Sequence, residues 1–143
     1  MRCHQKSFSV ATSGQGIVPI TDKVREVATE AAIFAGLCTV FVRHTSASLL
    51  IQENADPTVR ADLERYLHKL VPEGPHYEHD AEGPDDMPAH IKAALLPTSL
   101  SIPVIDGKLG LGTWQGIYLW EHRRVNHRRE VIVQLIGSAV KSS

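Results

Sequence analysis

The chain has 143 residues, of which 43% are hydrophobic and 22% are charged, and its formal net charge is -1. This length suits one domain with its own core, and the near-zero charge argues against binding nucleic acid through its phosphates. The first residues lack the apolar run of a signal peptide, and no apolar segment is long enough to span a bilayer. We therefore expect a cytoplasmic protein that binds neither membrane nor nucleic acid, with Cys3 and Cys38 as free thiols.

The first third of the chain predicts two strands and a helix. Alternating polar and apolar residues indicate a strand over 5–11, and a second strand follows over 17–20. Apolar residues then recur at three- and four-residue spacing, which predicts a helix capped by Thr21 or Asp22 and ended by Gly36.

Two apolar, β-branched runs come next, over 37–42 and 49–52, and we expect these strands to pair with each other. Asp56 is predicted to cap a second helix, because Pro57 suits its first position. Pro72 is expected to end this helix.

The C-terminal part predicts a third helix over 89–96 and a half-buried strand over 100–104, followed by a turn at Asp106-Gly107. Two final strands are predicted over 115–121 and 130–136. The absence of a repeated βαβ rhythm indicates an α+β fold with largely antiparallel, sandwich-like sheets and about three helices. We expect a single domain over 3–138 and a flexible tail over 139–143.

A polar loop over residues 72–88 separates the second and third predicted helices. It contains four prolines, two glycines and six carboxylates, so regular structure is disfavoured there. A long ordered loop inside a compact domain is usually functional. The loop is therefore the first candidate for part of a binding site.

Four side chains in or near this loop can bind a metal ion: His76, His79, Asp80 and His90. Zinc and related metals need several imidazole or carboxylate ligands that converge in space, but this spacing matches no strict metal motif. The alternative is a solvated acidic loop with incidental histidines. The loop runs directly between capped helices and carries Tyr77 and Met87, which favours order over a disordered linker.

Two further segments are candidates for ligand binding. His44 and the hydroxyls that follow it can hold a metal or a phosphate, although hydroxyls also satisfy turns. Trp114 lies in a glycine-rich segment and offers a stacking face, although a bulge with a core tryptophan is the simpler interpretation. Arginines suit phosphate or carboxylate recognition, but Arg124, Arg128 and Arg129 are predicted to be surface residues.

Several enzyme classes are disfavoured because their motifs are missing. The sequence lacks the Gly-x-Ser-x-Gly nucleophile elbow, the Walker phosphate loop and the dinucleotide fingerprint. Ser46 and Ser48 lie close to His44 in sequence, but this adjacency is not triad geometry.

The chain resembles the YjbQ family, also called the secondary thiamine-phosphate synthase family, over nearly its whole length. Five motifs carry the resemblance, in the same order: His44-Thr-Ser-Ala-Ser48, Asn54-Ala-Asp-Pro-Thr-Val-Arg60, Tyr77-Glu-His-Asp80, Asp85-Asp-Met-Pro-Ala-His-Ile-Lys92, and Gly112-Thr-Trp-Gln-Gly116 followed by Glu121-His-Arg123.

The resemblance implies a homotrimer whose polar motifs gather near subunit contacts, and a weak synthase activity. That activity joins an aminopyrimidine diphosphate to a thiazole phosphate and releases pyrophosphate. By position the resemblance implies metal ligands at His44, His79 and His90 for zinc or magnesium, catalytic roles for Glu121 and Arg123, and substrate binding by Thr45, Ser46, Asn54, Trp114 and Gln115. His76 and His127 lie where members are expected to vary and are not site candidates.

Two other functions remain open at this stage. One is a trimeric metal- or phosphate-binding protein without a primary catalytic role, and the other is a metal-dependent phosphohydrolase. All three functions predict a small phosphorylated ligand or a divalent metal ion as the partner.

Overall fold

The hydrophobic patterns fold into two antiparallel sheets and three helices in the computed structural model, which describes residues 1–140. The strands are β1 (Arg2–Thr12), β2 (Gly16–Pro19), β3 (Ala35–Val42), β4 (Ala47–Glu53), β5 (Ser99–Ile105), β6 (Lys108–Leu109), β7 (Gln115–Glu121) and β8 (His127–Ser138). The helices are α1 (Thr21–Ala31), α2 (Pro57–Leu70) and α3 (Asp86–Leu95). The predicted α+β class and its antiparallel, sandwich-like sheets are confirmed.

The two sheets share one core. The larger sheet has the order β1-β8-β3-β5-β6 and the smaller one the order β2-β7-β4. Alternate residues of β3 and β8, such as Val40 and Val133, point inward and pack with Leu49 and Leu119 of the smaller sheet. Helix α1 adds Val24 and three further buried residues to this core.

Helices α2 and α3 cover the other face of the smaller sheet. Leu67 of α2 packs in a second cluster with Trp120 of β7, Leu50 of β4 and Ile91 of α3. Trp120 and Leu50 alternate along their strands with residues of the first core, as the period of a strand requires. Helix α3 is thereby fixed beside the end of β7, where the candidate site lies.

The end of α1 differs from the prediction. The helix stops at Ala31, Ala32 takes the left-handed conformation with φ 53°, and Gly36 already lies inside β3. Gly36 is paired with Gly137 of β8, and a Cβ on Gly36 would lie 2.1 Å from the carbonyl oxygen of Ile136. Gly36 therefore allows two strands to approach closely and does not end a helix.

The pairing of β3 with β4 was also predicted wrongly. Strand β3 lies between β5 and β8, whereas β4 pairs with β7 in the other sheet. The turn at residues 43–46 leads the chain from one sheet to the other. A short connection suggested a hairpin, but pairing also depends on strands that lie far away in sequence.

The start of α2 is confirmed. Asp56 Oδ1 accepts a hydrogen bond from the backbone N–H of Thr58 at 2.9 Å, and Pro57 is the first helical residue. The loop between α2 and α3 has turns but no strand or helix, as predicted. Helix α3 begins at Asp86, three residues before the predicted start.

The predicted tail over 139–143 falls largely outside the described residues, since only 139 and 140 are included. Within residues 1–140, no helix has both the length and the apolar character needed to cross a bilayer.

Candidate functional site

Three potential metal ligands meet where the polar loop enters α3: His79, Asp86 and His90. His79 Nε2 lies 2.6 Å from Asp86 Oδ2, and His90 Nε2 lies 3.4 Å from the same oxygen. One ligand atom from each residue lies within 4.8 Å of the other two. Asp86 and His90 are four residues apart on one helix, which places them on the same face, and the loop folds back to bring in His79.

The His90 ring is oriented by the turn after β3. Its Nδ1 donates a hydrogen bond to the carbonyl oxygen of Thr45 at 3.1 Å, so Nδ1 carries a proton and Nε2 is the ring nitrogen that faces Asp86. Metal-binding histidines commonly have their second nitrogen fixed in this way. The Thr45 backbone thus contributes to the site, and the predicted His44–Ser48 segment meets the loop.

Arg123 fixes the two aspartates at the start of α3. Its guanidinium donates to Asp85 Oδ2 at 3.0 Å, to Asp86 Oδ1 at 2.6 Å and to the carbonyl oxygen of Glu82 at 2.8 Å. Asp85 also accepts from the backbone N–H of Arg124 at 2.9 Å. Asp85 therefore binds the arginine segment instead of capping α3.

These contacts keep Asp86 ionised. Burial alone would raise the pKa of Asp86, but the hydrogen bond from His79 and the charge of Arg123 outweigh burial and hold the pKa below its usual value. The Asp86 side chain is only 2% exposed. It presents Oδ2 to the two histidines while Arg123 holds Oδ1.

A second buried ion pair lies behind the cluster, between Glu121 and Arg129. Glu121 Oε1 accepts from Thr12 Oγ1 at 2.6 Å and from Arg129 Nε at 2.8 Å, while Oε2 accepts from the backbone N–H of Arg123 at 3.1 Å. Burial raises the pKa of Glu121, but the hydrogen bonds from Arg129 and Thr12 lower it by more than burial raises it. The pKa of Glu121 therefore lies below its usual value. Arg129 also donates to Ser46 Oγ at 2.9 Å.

The prediction that Arg129 is a surface residue is wrong, because the residue is 3% exposed. The alternation of β8 turns it inward between two neighbours that face solvent. Arg129 and Glu121 tie β7 and β8 to the turn at Ser46, and this turn carries the carbonyl group that orients His90.

His44 is separate from the group formed by His79, Asp86 and His90. Its Nε2 accepts a hydrogen bond from the backbone N–H of Glu130 at 2.8 Å. Burial, followed by the charge of Arg129, lowers the pKa of His44. His44 therefore holds the end of β3 to β8 as a neutral ring. The residue that lies with His79 and His90 is Asp86.

The serine brought next to a histidine is Ser48, and its partner is His122. Ser48 Oγ lies 2.9 Å from His122 Nε2, and both residues are buried, at 0% and 1% exposure. Burial lowers the pKa of His122 to about 3. No side chain among residues 1–140 accepts a hydrogen bond from His122 Nδ1, so this pair lacks the third member of a catalytic triad.

Asn54, Trp114 and Gln115 form a separate corner. Asn54 Nδ2 donates to the carbonyl oxygens of Thr113 and Gln115 at 3.3 and 3.4 Å, and Trp114 is 63% exposed. This exposure excludes the interpretation of Trp114 as a core tryptophan. The indole ring offers a free stacking surface.

This corner and the histidine cluster, formed by His79, Asp86 and His90, lie at opposite ends of the strand pair β4–β7. Ala47 pairs with Glu121 at the cluster end, and Glu53 pairs with Gln115 at the corner. Six residue steps of extended strand span about 20 Å. Within one chain, the predicted substrate-binding residues thus form two separate groups.

Comparison with known proteins identifies the family. The sequence model of the family described as UPF0047 protein YjbQ-like matches residues 6–138. The chain belongs to the YjbQ/UPF0047 family. It is 55% identical to a UPF0047 protein of Synechocystis over 95% of this chain and 93% of that protein. It is 44% identical to YjbQ of Escherichia coli over 94% of this chain and 98% of that protein.

The fold agrees with a solved structure from the same family. A YjbQ/UPF0047 protein from Clostridium acetobutylicum superposes with a TM-score of 0.85 at 39% identity, over 92% of this chain and 99% of that chain. The names of these relatives give the family and state no activity.

Several site residues were missed by reasoning from the sequence alone. Asp86 was placed at a helix start and in a family motif but not among the metal ligands, although its spacing of four from His90 is a signal for a shared helix face. Lys92 and His122 are buried at 4% and 1% exposure. Nothing local marks them, because their burial depends on the packing of α3 against β7.

Proposed function

We propose that this YjbQ-family chain binds a divalent metal ion through His79, Asp86 and His90 and acts there on a small phosphorylated substrate. The proposed activity is the secondary thiamine-phosphate synthase reaction that the family resemblance implies. The observation that supports a metal-dependent reaction is the convergence of three ligand atoms whose supporting hydrogen bonds are already in place.

The residues present fit a catalytic metal. Two imidazoles and one carboxylate are a common ligand set for zinc, and three protein ligands leave a coordination position for substrate. His79 is half exposed at the side chain, 51%, which keeps one side of the group open. The His90–Thr45 and Asp86–Arg123 contacts supply the outer hydrogen bonds that metal ligands normally have.

The reaction forms one bond and breaks one. The thiazole nitrogen donates its electron pair to the pyrimidine methylene carbon, and the bond from that carbon to the diphosphate oxygen breaks, so pyrophosphate leaves with the electron pair. A divalent cation bound here neutralises charge on the diphosphate. The chain itself holds Asp86 and His90 in fixed orientations and admits the substrate on the exposed side of His79.

Arg123 and Glu121 are better described as positioning residues than as groups that contact substrate. The Arg123 guanidinium donates to three protein acceptors, and both oxygens of Glu121 accept from protein groups. Arg123 therefore acts through Asp86. Glu121 acts through Arg129 and the Ser46 turn.

The substrate-stacking role proposed for Trp114 requires a second subunit. Trp114 lies about 20 Å along the strands from the histidine cluster of its own chain, so one chain cannot use both groups on one small substrate. In the proposed homotrimer, the corner formed by Asn54, Trp114 and Gln115 faces the cluster of a neighbouring copy.

A His90→Ala substitution tests the metal site directly. Protein stripped of metal and reloaded with zinc, magnesium or manganese should lose one equivalent of bound metal on this change, and synthase kcat/KM should fall at least about 100-fold. His76→Ala is the matched control, since His76 is an exposed histidine of the same loop. Full metal binding and activity in His90→Ala would refute the assignment.

A metal-dependent phosphohydrolase is the second candidate, because a ligand group open at His79 also suits activation of water. It predicts that p-nitrophenyl phosphate releases phosphate without any thiazole acceptor. A binding protein without catalysis predicts instead that metal raises the melting temperature by mass action while neither reaction proceeds.

A further inference from the structure

A second polar cavity lies between α2, α3 and the end of β7. Its volume is about 140 Å³, and none of the proposed metal ligands lines it. Its polar lining consists of Lys92, His122, Gln15, His68, Glu64 and Glu121, and Trp120 lines it as well. A single water needs only about 10–15 Å³ on this measure, so the space accommodates a group of several heavy atoms.

Lys92 points away from the histidine cluster. It follows His90 by two positions on α3, and a separation of two places side chains on nearly opposite faces of a helix. Lys92 is only 4% exposed, and no residue among 1–140 forms an ion pair or a hydrogen bond with its Nζ. Burying an ammonium group without a partner is costly.

The carboxylates nearest to Lys92 already have arginine partners. Glu73 forms a close ion pair with Arg124, and Asp85 accepts from Arg123 at 3.0 Å. Lys92 thus has the charges of Glu73 and Asp85 near it but no ion pair of its own among residues 1–140, and it lines a cavity that is large enough to hold an anion.

His122 provides a second unpaired donor in the cavity wall. Its Nε2 lies 2.9 Å from Ser48 Oγ. Which atom donates depends on the ring tautomer; when the Ser48 hydroxyl donates to Nε2, the ring proton lies on Nδ1. That Nδ1 is buried without a partner, which is uncommon for a polar atom.

We propose that this cavity binds a small oxyanion, a phosphate or carboxylate group, through Lys92 and with His122 as the second donor. With the His122 proton on Nδ1, a buried ammonium and a buried N–H line the same cavity without hydrogen-bond acceptors among residues 1–140, and an anion with two or more oxygens satisfies both. Glu64 also lines the cavity, with Oε1 accepting from the backbone N–H of Ile17 at 3.0 Å. Glu121 lines the cavity too, with its oxygens accepting from Thr12, Arg123 and Arg129, and the two carboxylates limit the affinity for anions.

The binding test uses Trp120 as a reporter. Trp120 lines the cavity, and the chain has only one other tryptophan, so a Trp114→Phe background isolates its fluorescence. Metal-free protein is titrated with sodium phosphate and, separately, sodium acetate at constant ionic strength in chloride. We expect a saturable signal, and whichever anion binds more tightly identifies the chemical source of the oxyanion.

Three variants make the test specific to Lys92. Lys92→Met should weaken anion binding at least tenfold, since a charge-assisted hydrogen bond is lost. Lys69→Met, an exposed lysine on the adjacent helix, should leave binding unchanged. Glu64→Gln keeps an acceptor for Ile17 and removes a negative charge, so it should tighten binding.

Melting temperatures separate a ligand site from a structural lysine. Without phosphate, Lys92→Met should be at least as stable as the unsubstituted protein, because it removes an unpaired buried charge, and phosphate should stabilise only the chain with Lys92. A destabilised Lys92→Met, or a protein whose fluorescence and melting temperature ignore both anions, would overturn the proposal. His79→Ala should keep the anion response, which separates this site from the metal site.

Discussion

Asp86 Oδ1 and Oδ2 face different partners, and this division accounts for most of the chemistry expected at the site. Arg123 donates to one oxygen, while His79 and His90 lie beside the other. Since the arginine also binds Asp85, the start of α3 and the end of β7 hold the carboxylate in one orientation. As a proposed metal ligand with so little freedom, Asp86 would lose little entropy on binding.

An Arg123→Lys substitution should therefore weaken metal binding without removing a ligand. Lysine keeps the positive charge but cannot donate to Asp85, Asp86 and Glu82 together, because it lacks the planar fork of a guanidinium. We expect metal affinity to fall about 10–100-fold, measured by competition with a chelating dye. Arg128→Lys, at an exposed position, is the control. An unchanged affinity for Arg123→Lys would contradict the positioning role.

His122 makes stability depend on pH. Its pKa is about 3 in the folded chain because of burial and about 6.5 when unfolded, so the unfolded chain binds more protons between these values. Stability is fully present above pH 6.5 and is lost as pH falls toward 3, by up to about 1.4 kcal/mol per pH unit. His44, whose pKa is also lowered by burial, adds to this trend in the same direction.

A His122→Gln variant isolates this contribution, since glutamine can still accept from Ser48. Urea unfolding at pH 7 and pH 5 should show a smaller loss of stability for the variant than for the unsubstituted chain. If the free energy of unfolding falls equally between pH 7 and pH 5 in both proteins, burial does not lower the pKa of His122.

Among the elements, β3 and β8 show how backbone shape decides where strands can lie. Gly36 and Gly137 face each other, and a Cβ on either would lie within 2.2 Å of a backbone oxygen of the opposite strand. The same strand pair carries His44, whose Nε2 accepts from Glu130. The close approach of β3 and β8 thus helps to define the turn at residues 43–46 that orients His90.

Gly36→Ala should destabilise the fold, because backbone atoms must move to make room for the methyl group. Overpacking of this kind typically costs about 1–3 kcal/mol, measurable as a lower urea midpoint. Gly74→Ala is the control, since its Cβ would meet the movable His76 ring. If both variants unfold at the same urea concentration as the unsubstituted chain, the close approach of the strands is not essential.

At the scale of the whole molecule, the outer face of the larger sheet carries exposed apolar side chains beside polar ones. Leu37, Phe41 and Ile136 are 45%, 44% and 41% exposed on its outer side, and Leu37 pairs directly with Ile136. Exposed apolar clusters of this type are common at subunit contacts. The proposed trimer would cover such a face and bring together the two separated groups of site residues.

Mixed assemblies test this arrangement. His90→Ala removes the cluster and Trp114→Ala removes the stacking corner, so each variant alone should be nearly inactive. After joint refolding, assemblies that contain both variants should recover a fraction of the activity. In such an assembly, the intact histidine cluster of a Trp114→Ala subunit can face the intact corner of a His90→Ala subunit. Phe41→Glu in both chains should lower the mass measured by light scattering and abolish the recovery. A fully active monomer would refute the arrangement.

Much of the architecture follows from local sequence. Hydrophobic period, the Asp56 cap and turn residues such as Asp106-Gly107 identify the helices and most of the strands, because each signal acts over a few residues. His79 and His90 were also predicted from residue type as metal ligands, and their meeting in one cluster keeps that prediction open to test. The family resemblance rests on the same local motifs.

Tertiary structure decided the rest, because burial and pairing depend on residues far apart in the chain. Only the folded chain shows that β4 pairs with β7, that Arg129 is buried against Glu121, and that Trp114 lies away from the histidines. The same holds for Asp86, whose side chain is held by a hydrogen bond from Arg123, 37 residues further along the chain. Sequence thus determined which side chains are available, while packing determined which of them share a site.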